Sequence, residues 1–283
     1  MSASIRIAHS PDADDAYMFW ALAHAKVKTP LQLEHILKDI QTLNEWAMQG
    51  KYEVTAVSAH GLAYVSDKYN LLKIGASFGE GYGPIVVAHT PLSHKELHRA
   101  VIAIPGKFTS AFLALKLFLS ETSGTIPTEE HFPVFPFDKI LPAVKTCKVD
   151  AGVIIHEGQL TFAQENLHCI VDLGKWWQEQ TSLPLPLGVN VVRKDLPEEI
   201  QKEIARCLRE SILLAQENHD EALAYALQFG RGISRDQADR FVKMYVNHWT
   251  LNMGEKGVTA IKTFLTKGAQ KGFIPEPSIH IAE

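Results

Sequence analysis

What most constrains this chain is the alternation, from its first residues, of short apolar runs with stretches of helical spacing. Ile5-Arg6-Ile7-Ala8 is followed by a helical pattern over residues 14–25, the run 31–36, a second helical pattern over 42–48, and Val54-Thr55-Ala56-Val57. That order reads β-α-β-α, an α/β sheet with helices on its faces. Asp12, Asp14 and Asp15 fall where the first strand hands over to the first helix, where acidic side chains cap free N–H groups and complement the helix dipole.

The series then repeats. A glycine cluster over 75–83 precedes Pro84-Ile85-Val86-Val87-Ala88, and a polar stretch separates that run from Ala100-Val101-Ile102-Ala103-Ile104. A helix over 109–119, a strand near Val134, a helix over 140–146, the strand Ala151-Gly152-Val153-Ile154-Ile155 and Cys169-Ile170-Val171 form a second αβ series. After Val189-Asn190-Val191-Val192 the chain is nearly all helix, over 197–229, 236–248 and 257–267. The 283 residues suit one large or two medium domains at roughly 100 to 200 residues each. The expectation is therefore two α/β lobes, residues 1–91 plus 189–283 and residues 92–188, joined by two crossing segments with a ligand cleft between them. Pockets favour such interfaces and the carboxyl ends of strands, which directs attention to the loops 9–15, 58–60, 106–110 and 156–158.

Composition narrows the function classes. Twenty-eight Lys and Arg against 32 Asp and Glu give a net charge of -4, no field to hold nucleic acid or an anionic membrane. No apolar stretch approaches the roughly 20 residues of a transmembrane helix. Cys147, Cys169 and Cys207 are odd in number, far apart and without CxxC spacing, against a disulfide framework or structural zinc. With no signal-peptide pattern at the start, the expected compartment is the cytoplasm.

Several local patterns invite chemistry. Ala103-Ile104-Pro105-Gly106-Lys107-Phe108-Thr109-Ser110 leads from a strand through a turn to a helix start, whose free N–H groups suit a carboxylate or phosphate. It is not a P-loop, because Phe108 separates Lys107 from the hydroxyl and the upstream glycine is missing. The plainer role for Thr109 is an N-cap. Ser58 repeats the context at the end of another strand. Gly79-Glu80-Gly81-Tyr82-Gly83 lacks GxGxxG spacing and precedes a strand, so a dinucleotide site is rejected. His94 and His98 share a helical face but lack a third ligand, so no metal is expected. His156 follows Gly152-Val153-Ile154-Ile155 and projects from a strand end toward the expected cleft, where an imidazole serves as a general base. The plainer alternative is a histidine merely hydrogen-bonded at a strand terminus. Trp176, Trp177 and the segment 183–188 read as packing that stiffens the second crossing.

Taken in order, Ser10-Pro11-x-x-x-Asp15, Thr42-Leu43-Asn44-x-Trp46-Ala47, Gly152-Val153-Ile154-Ile155-His156-Glu157, Asp172-Leu173-Gly174-x-Trp176-Trp177, the segment 181–188 and Tyr245-Val246-Asn247 carry a resemblance. Over essentially its whole length the chain is similar to the 1,4-dihydroxy-6-naphthoate synthase family of the futalosine route to menaquinone. The resemblance implies a type II periplasmic-binding-protein-like fold and a lyase that cleaves cyclic dehypoxanthinyl futalosine to 1,4-dihydroxy-6-naphthoate and dihydroxyacetone. It implies no cofactor and, as partner, a small carboxylate substrate. It places the base at His156 and substrate contacts at Ala56, Val57, Ser58, Thr109 and Ser110.

One departure matters: the family's Ser-Pro-Cys-Pro-Asn-Asp is here Ser10-Pro11-Asp12-Ala13-Asp14-Asp15. Acids facing the cleft would repel a carboxylate substrate, so they either serve the helix cap or mark a different ligand. Two alternatives remain open at this point: chorismate dehydratase of the same pathway, and a solute-binding protein that closes on a small anion without chemistry.

Overall fold

The computed structural model describes residues 4–230 and 232–282. Eleven strands occur among them: β1 Ile5–His9, β2 Leu33–Leu37, β3 Val54–Ser58, β4 Tyr69–Leu72, β5 Ser77–Gly79, β6 Ile85–Ala88, β7 Ile102–Ala103, β8 Ala151–Ile154, β9 His168–Asp172, β10 Leu185–Arg193 and β11 Ile281–Ala282. They form two sheets. The larger runs β11-β4-β10-β3-β1-β2, with β5 added to β10, and the smaller runs β7-β8-β6-β9. β1 pairs in parallel with both β2 and β3. Parallel neighbours need crossovers, and the helices Ala13–Ala23 and Ile40–Met48 supply them. β3 and β6 are buried along their whole length, which is why they read as unbroken apolar runs rather than alternating ones.

The chain changes sheet earlier than its composition indicates. β6, expected in the first lobe, pairs antiparallel with β8 in the smaller sheet, so the first crossing lies between Gly79 and Ile85 rather than near residue 91. The polar stretch that resembled a boundary belongs to the second lobe, where Ser93 and Glu96 form a capping box on the short helix His94–Leu97. The return comes with β10, whose Leu185 already pairs with Gly79 of β5. Gly83 lies against Gly174, and a Cβ on Gly174 would fall 1.9 Å from the Tyr82 carbonyl oxygen. Close backbone approach therefore explains Gly83 in the first crossing segment and Gly174 in the helix Leu173–Thr181 that it touches.

After β10 the helices Glu198–Glu217, His219–Ala226, Arg235–Tyr245 and Gly254–Gln270 return to the first lobe. The helix expected over 197–229 is broken at Asn218, which ends one helix and begins the next. Helix Ala13–Ala23 buries Tyr17, Met18, Phe19 and Trp20 in a core shared with these helices. A separate core unites Val57 and Leu71 of the larger sheet with Val86 and Val153 of the smaller, through helix Ser110–Ser123. The lobes thus share apolar packing on the crossing side. Among the described residues no helix is long and apolar enough to cross a membrane.

Candidate active site

The cavity between the sheets is lined by Ser10, Asp12, Asp14 and Asp15 after β1, Ala56, Val57 and Ser58 at the end of β3, Thr109 and Ser110 at a helix start, His156 and Gln159 after β8, Asn190 on β10, and Tyr245. It lies beyond the carboxyl ends of β1, β3 and β8, the usual position in open α/β sheets. All six residues singled out in the sequence reach this one cavity.

His156 leaves β8 in a left-handed conformation, with φ of 55°. That is uncommon for a bulky residue and holds its ring against the other lobe. Phe137 packs edge-on against the imidazole at 4.7 Å between centroids. Nε2 is buried and stands 3.4 Å from Asp12 Oδ2. Two further histidines near the site are kept neutral by burial. His9, stacked on Phe19, and His60, held by the Thr109 carbonyl, are both pushed down to about 3.

The three aspartates divide their work. Asp12 occupies the N-cap position of helix Ala13–Ala23, but its side chain makes no cap hydrogen bond. Its Oδ2 instead accepts from Ser10 Oγ in a short contact and faces His156. Asp15 Oδ2 accepts from the Ser10 N–H at 2.8 Å. Burial and the neighbouring Asp12 push Asp15 up to about 7. Burial, reinforced by Asp15, Asp12 and Glu157, pushes Asp14 well above the ordinary carboxyl range, and its Oδ1 is buried without a hydrogen-bond partner. The cavity thus brings the three acids together, with burial raising both Asp14 and Asp15.

Of the hydroxyls, Ser58 has the freest proton. Asn44 Oδ1 accepts from the Ser58 N–H at 2.8 Å while Asn44 Nδ2 donates to Ser58 Oγ at 3.1 Å, so the oxygen is fixed and its proton left to donate. Asn44 fits because position 61 is glycine; a Cβ there would lie 2.5 Å from Asn44 Oδ1. Thr109 spends its hydroxyl on the helix, donating to the Gly106 carbonyl and accepting from the Phe112 N–H. Ser110 Oγ donates to the Leu187 carbonyl at 2.6 Å and accepts from the His60 N–H. What the helix start offers the cavity is therefore its first backbone N–H groups, which have no carbonyl of their own helix to bind.

Four lining or supporting residues escaped the sequence reading. Asn44 lay inside a quoted motif without an assigned role. Asn190 donates to the Gly75 carbonyl and leaves its Oδ1 buried and unpartnered beside the cavity. Tyr245 and Gln159, bonded to each other, come from segments far apart in sequence. An isolated amide within an apolar strand, as at Asn190, was the one visible signal. His94 and His98 lie away from the cavity, and among the described residues no group of three or more His, Cys, Asp or Glu is placed to hold a metal ion.

Two α/β lobes, two crossing segments and a polar cleft at the strand ends define a protein of periplasmic-binding-protein-like fold. The alkanesulfonate-binding protein of Xanthomonas axonopodis pv. citri shares it, at 11% identity and a TM-score of 0.67 over 96% of this chain and 94% of that one. A crystallised protein of Archaeoglobus fulgidus is far more similar, at 49% identity and a TM-score of 0.90 over 96% of this chain and 98% of its own. A family model described as menaquinone biosynthesis matches residues 5–270. The 1,4-dihydroxy-6-naphthoate synthases of Thermus thermophilus and Streptomyces coelicolor are 37% and 34% identical, over 97% and 96% of this chain and 97% and 95% of theirs. The chain belongs to this menaquinone biosynthesis family.

Proposed function

We propose that the protein is a 1,4-dihydroxy-6-naphthoate synthase, a carbon–carbon lyase that converts cyclic dehypoxanthinyl futalosine to 1,4-dihydroxy-6-naphthoate and dihydroxyacetone in menaquinone biosynthesis. Full-length similarity to the two named synthases supports this reading over a dehydratase or a transport protein. Likeness to sulfonate-binding proteins speaks for the fold alone.

The observation that carries the site assignment is the meeting of one accessible imidazole, His156, with the Ser58 hydroxyl and a helix N-terminus in a single interlobe cavity. A fragmentation of this kind begins with removal of a proton, and His156 is the proposed base. Ser58 and the N–H groups at Ser110 hold the substrate carboxylate, with Ala56 and Val57 providing apolar contact and Thr109 setting the helix start. Burial raises the Asp14 carboxyl, which lessens its repulsion of that carboxylate. The proposed compartment is the cytoplasm, in keeping with three free cysteines.

The test is a discontinuous assay on cyclic dehypoxanthinyl futalosine with chromatographic detection of 1,4-dihydroxy-6-naphthoate. The wild type forms product, and His156→Ala binds substrate but loses at least about 100-fold in kcat. Near-wild-type turnover in that variant overturns the role of His156; substrate binding without product in either protein overturns the lyase reading.

A further inference from the structure

We infer that Asp12 is the positioning residue for His156, orienting its ring across the cleft so that Nδ1 is the nitrogen that takes the substrate proton. The inference rests on the reading of His156 as the base. Asp12 stands in the first lobe, after β1, and His156 in the second, after β8. Their side chains approach to 3.4 Å, Oδ2 to Nε2. Asp12 is 1% exposed and its side chain does not cap its helix, so the carboxylate is committed to the cleft.

The ring has little choice of orientation. Phe137 packs against it, and Nε2 is buried without a hydrogen bond, the Asp12 carboxylate at 3.4 Å being, among the described residues, the acid within ion-pair distance. Among the described residues no hydrogen bond engages Nδ1, and the His156 ring lines the cavity. A carboxylate beside Nε2 favours the proton there in the neutral ring, which leaves the lone pair on Nδ1. Once Nδ1 accepts a proton, the imidazolium faces a carboxylate already fixed by Ser10 Oγ, so the new charge is met without rearrangement. The other charged or titratable groups around Asp12 and His156 are Asp14 and Asp15 from the same turn, Glu157 beside the ring, and His9 on β1.

Because the partners follow strands of different sheets, the contact between them bridges the cleft.

The experiment compares wild type, Asp12→Asn, Asp12→Ala and His156→Ala by steady-state kinetics and by 15N NMR of the His156 ring. Asn keeps the shape of Asp while removing its charge, so it answers if the Ala variant fails to fold. In wild type with a substrate analogue bound, the neutral ring carries its proton on Nε2. In Asp12→Asn the ring shifts toward a mixture of tautomers, and kcat falls at least about 10-fold while KM stays within about threefold. Turnover within about twofold of wild type, or a fall in kcat with unchanged ring signals, overturns the positioning role. If His156→Ala itself retains turnover, the reading of His156 as base fails, and the ring signals still report separately on whether Asp12 orients it.

Discussion

Tyr245 Oη donates a 2.8 Å hydrogen bond to Gln159 Oε1, and the two residues belong to opposite lobes. Tyr245 ends the helix Arg235–Tyr245 of the first lobe, and Gln159 lies in the turn after β8 of the second. The bond therefore bridges the cleft, and both residues line the cavity. Tyr245→Phe removes it while keeping the ring that packs on Tyr82 and Phe241. A net loss of about 1 kcal/mol corresponds to a KM raised about fivefold. Steady-state kinetics with kcat within about twofold of wild type are expected; an unchanged KM would show that this bond does not support substrate binding.

Two hydroxyls of the site, those of Ser58 and Thr109, are expected to separate in kinetics and stability. Ser58→Ala removes a fixed donor facing the cavity, so KM rises roughly 5- to 10-fold, the worth of one hydrogen bond, with little change in Tm. Thr109→Ala removes a helix cap and costs about 1 kcal/mol of stability, with KM nearly unchanged. Thermal melts alongside initial rates distinguish the two, and a reversed pattern would exchange their roles.

Asp14 and Asp15 make stability depend on pH. Burial raises both carboxyls in the folded protein, Asp15 to about 7 and Asp14 well above its ordinary range, whereas the unfolded chain titrates near 4. The folded state therefore binds more protons than the unfolded state above about pH 4. Their contribution is most favourable below that pH and declines as pH rises through 7. Asp14→Asn, which restores the family's amide, is expected to raise Tm by about 2–4 °C at pH 8 and to leave it unchanged at pH 4. Differential scanning calorimetry at the two pH values checks the sign; equal shifts at both would show that the carboxyl is not protonated in the folded protein.

Gly174→Ala tests the contact between the first crossing segment and the helix Leu173–Thr181. A Cβ placed 1.9 Å from the Tyr82 carbonyl oxygen forces backbone apart, and overpacking of that kind costs about 1–3 kcal/mol. Lower Tm together with altered kcat is expected, because the first crossing segment carries the lobes relative to one another. A variant with wild-type melting would show that the approach relaxes freely.

Some of the site was legible because chemistry and local pattern coincided. His156 follows an apolar run, Ser58 ends another, and Thr109 and Ser110 open a helix, so strand-end logic located all of them before any contact was known. The Asp12–His156 pair was not legible. Local pattern made Asp12 a helix cap, whereas the folded chain turns its side chain across the cleft to a residue 144 positions away. Nor was it legible that the Ser110 hydroxyl, which lines the cavity, donates to the Leu187 carbonyl. The first lobe boundary also escaped, because polarity marks solvent exposure and says nothing about which sheet a strand joins.

The α/β class, the alternation of strands and helices, the strand-end positions of the candidate residues and membership of the family follow from periodicity, turn chemistry and motif order along one chain. Tertiary structure decided which strands share a sheet, which hydroxyl keeps a proton to give, how burial divides the carboxyls, and that Asp12 faces His156. Each of those depends on groups brought together from distant segments, and on the water their packing excludes.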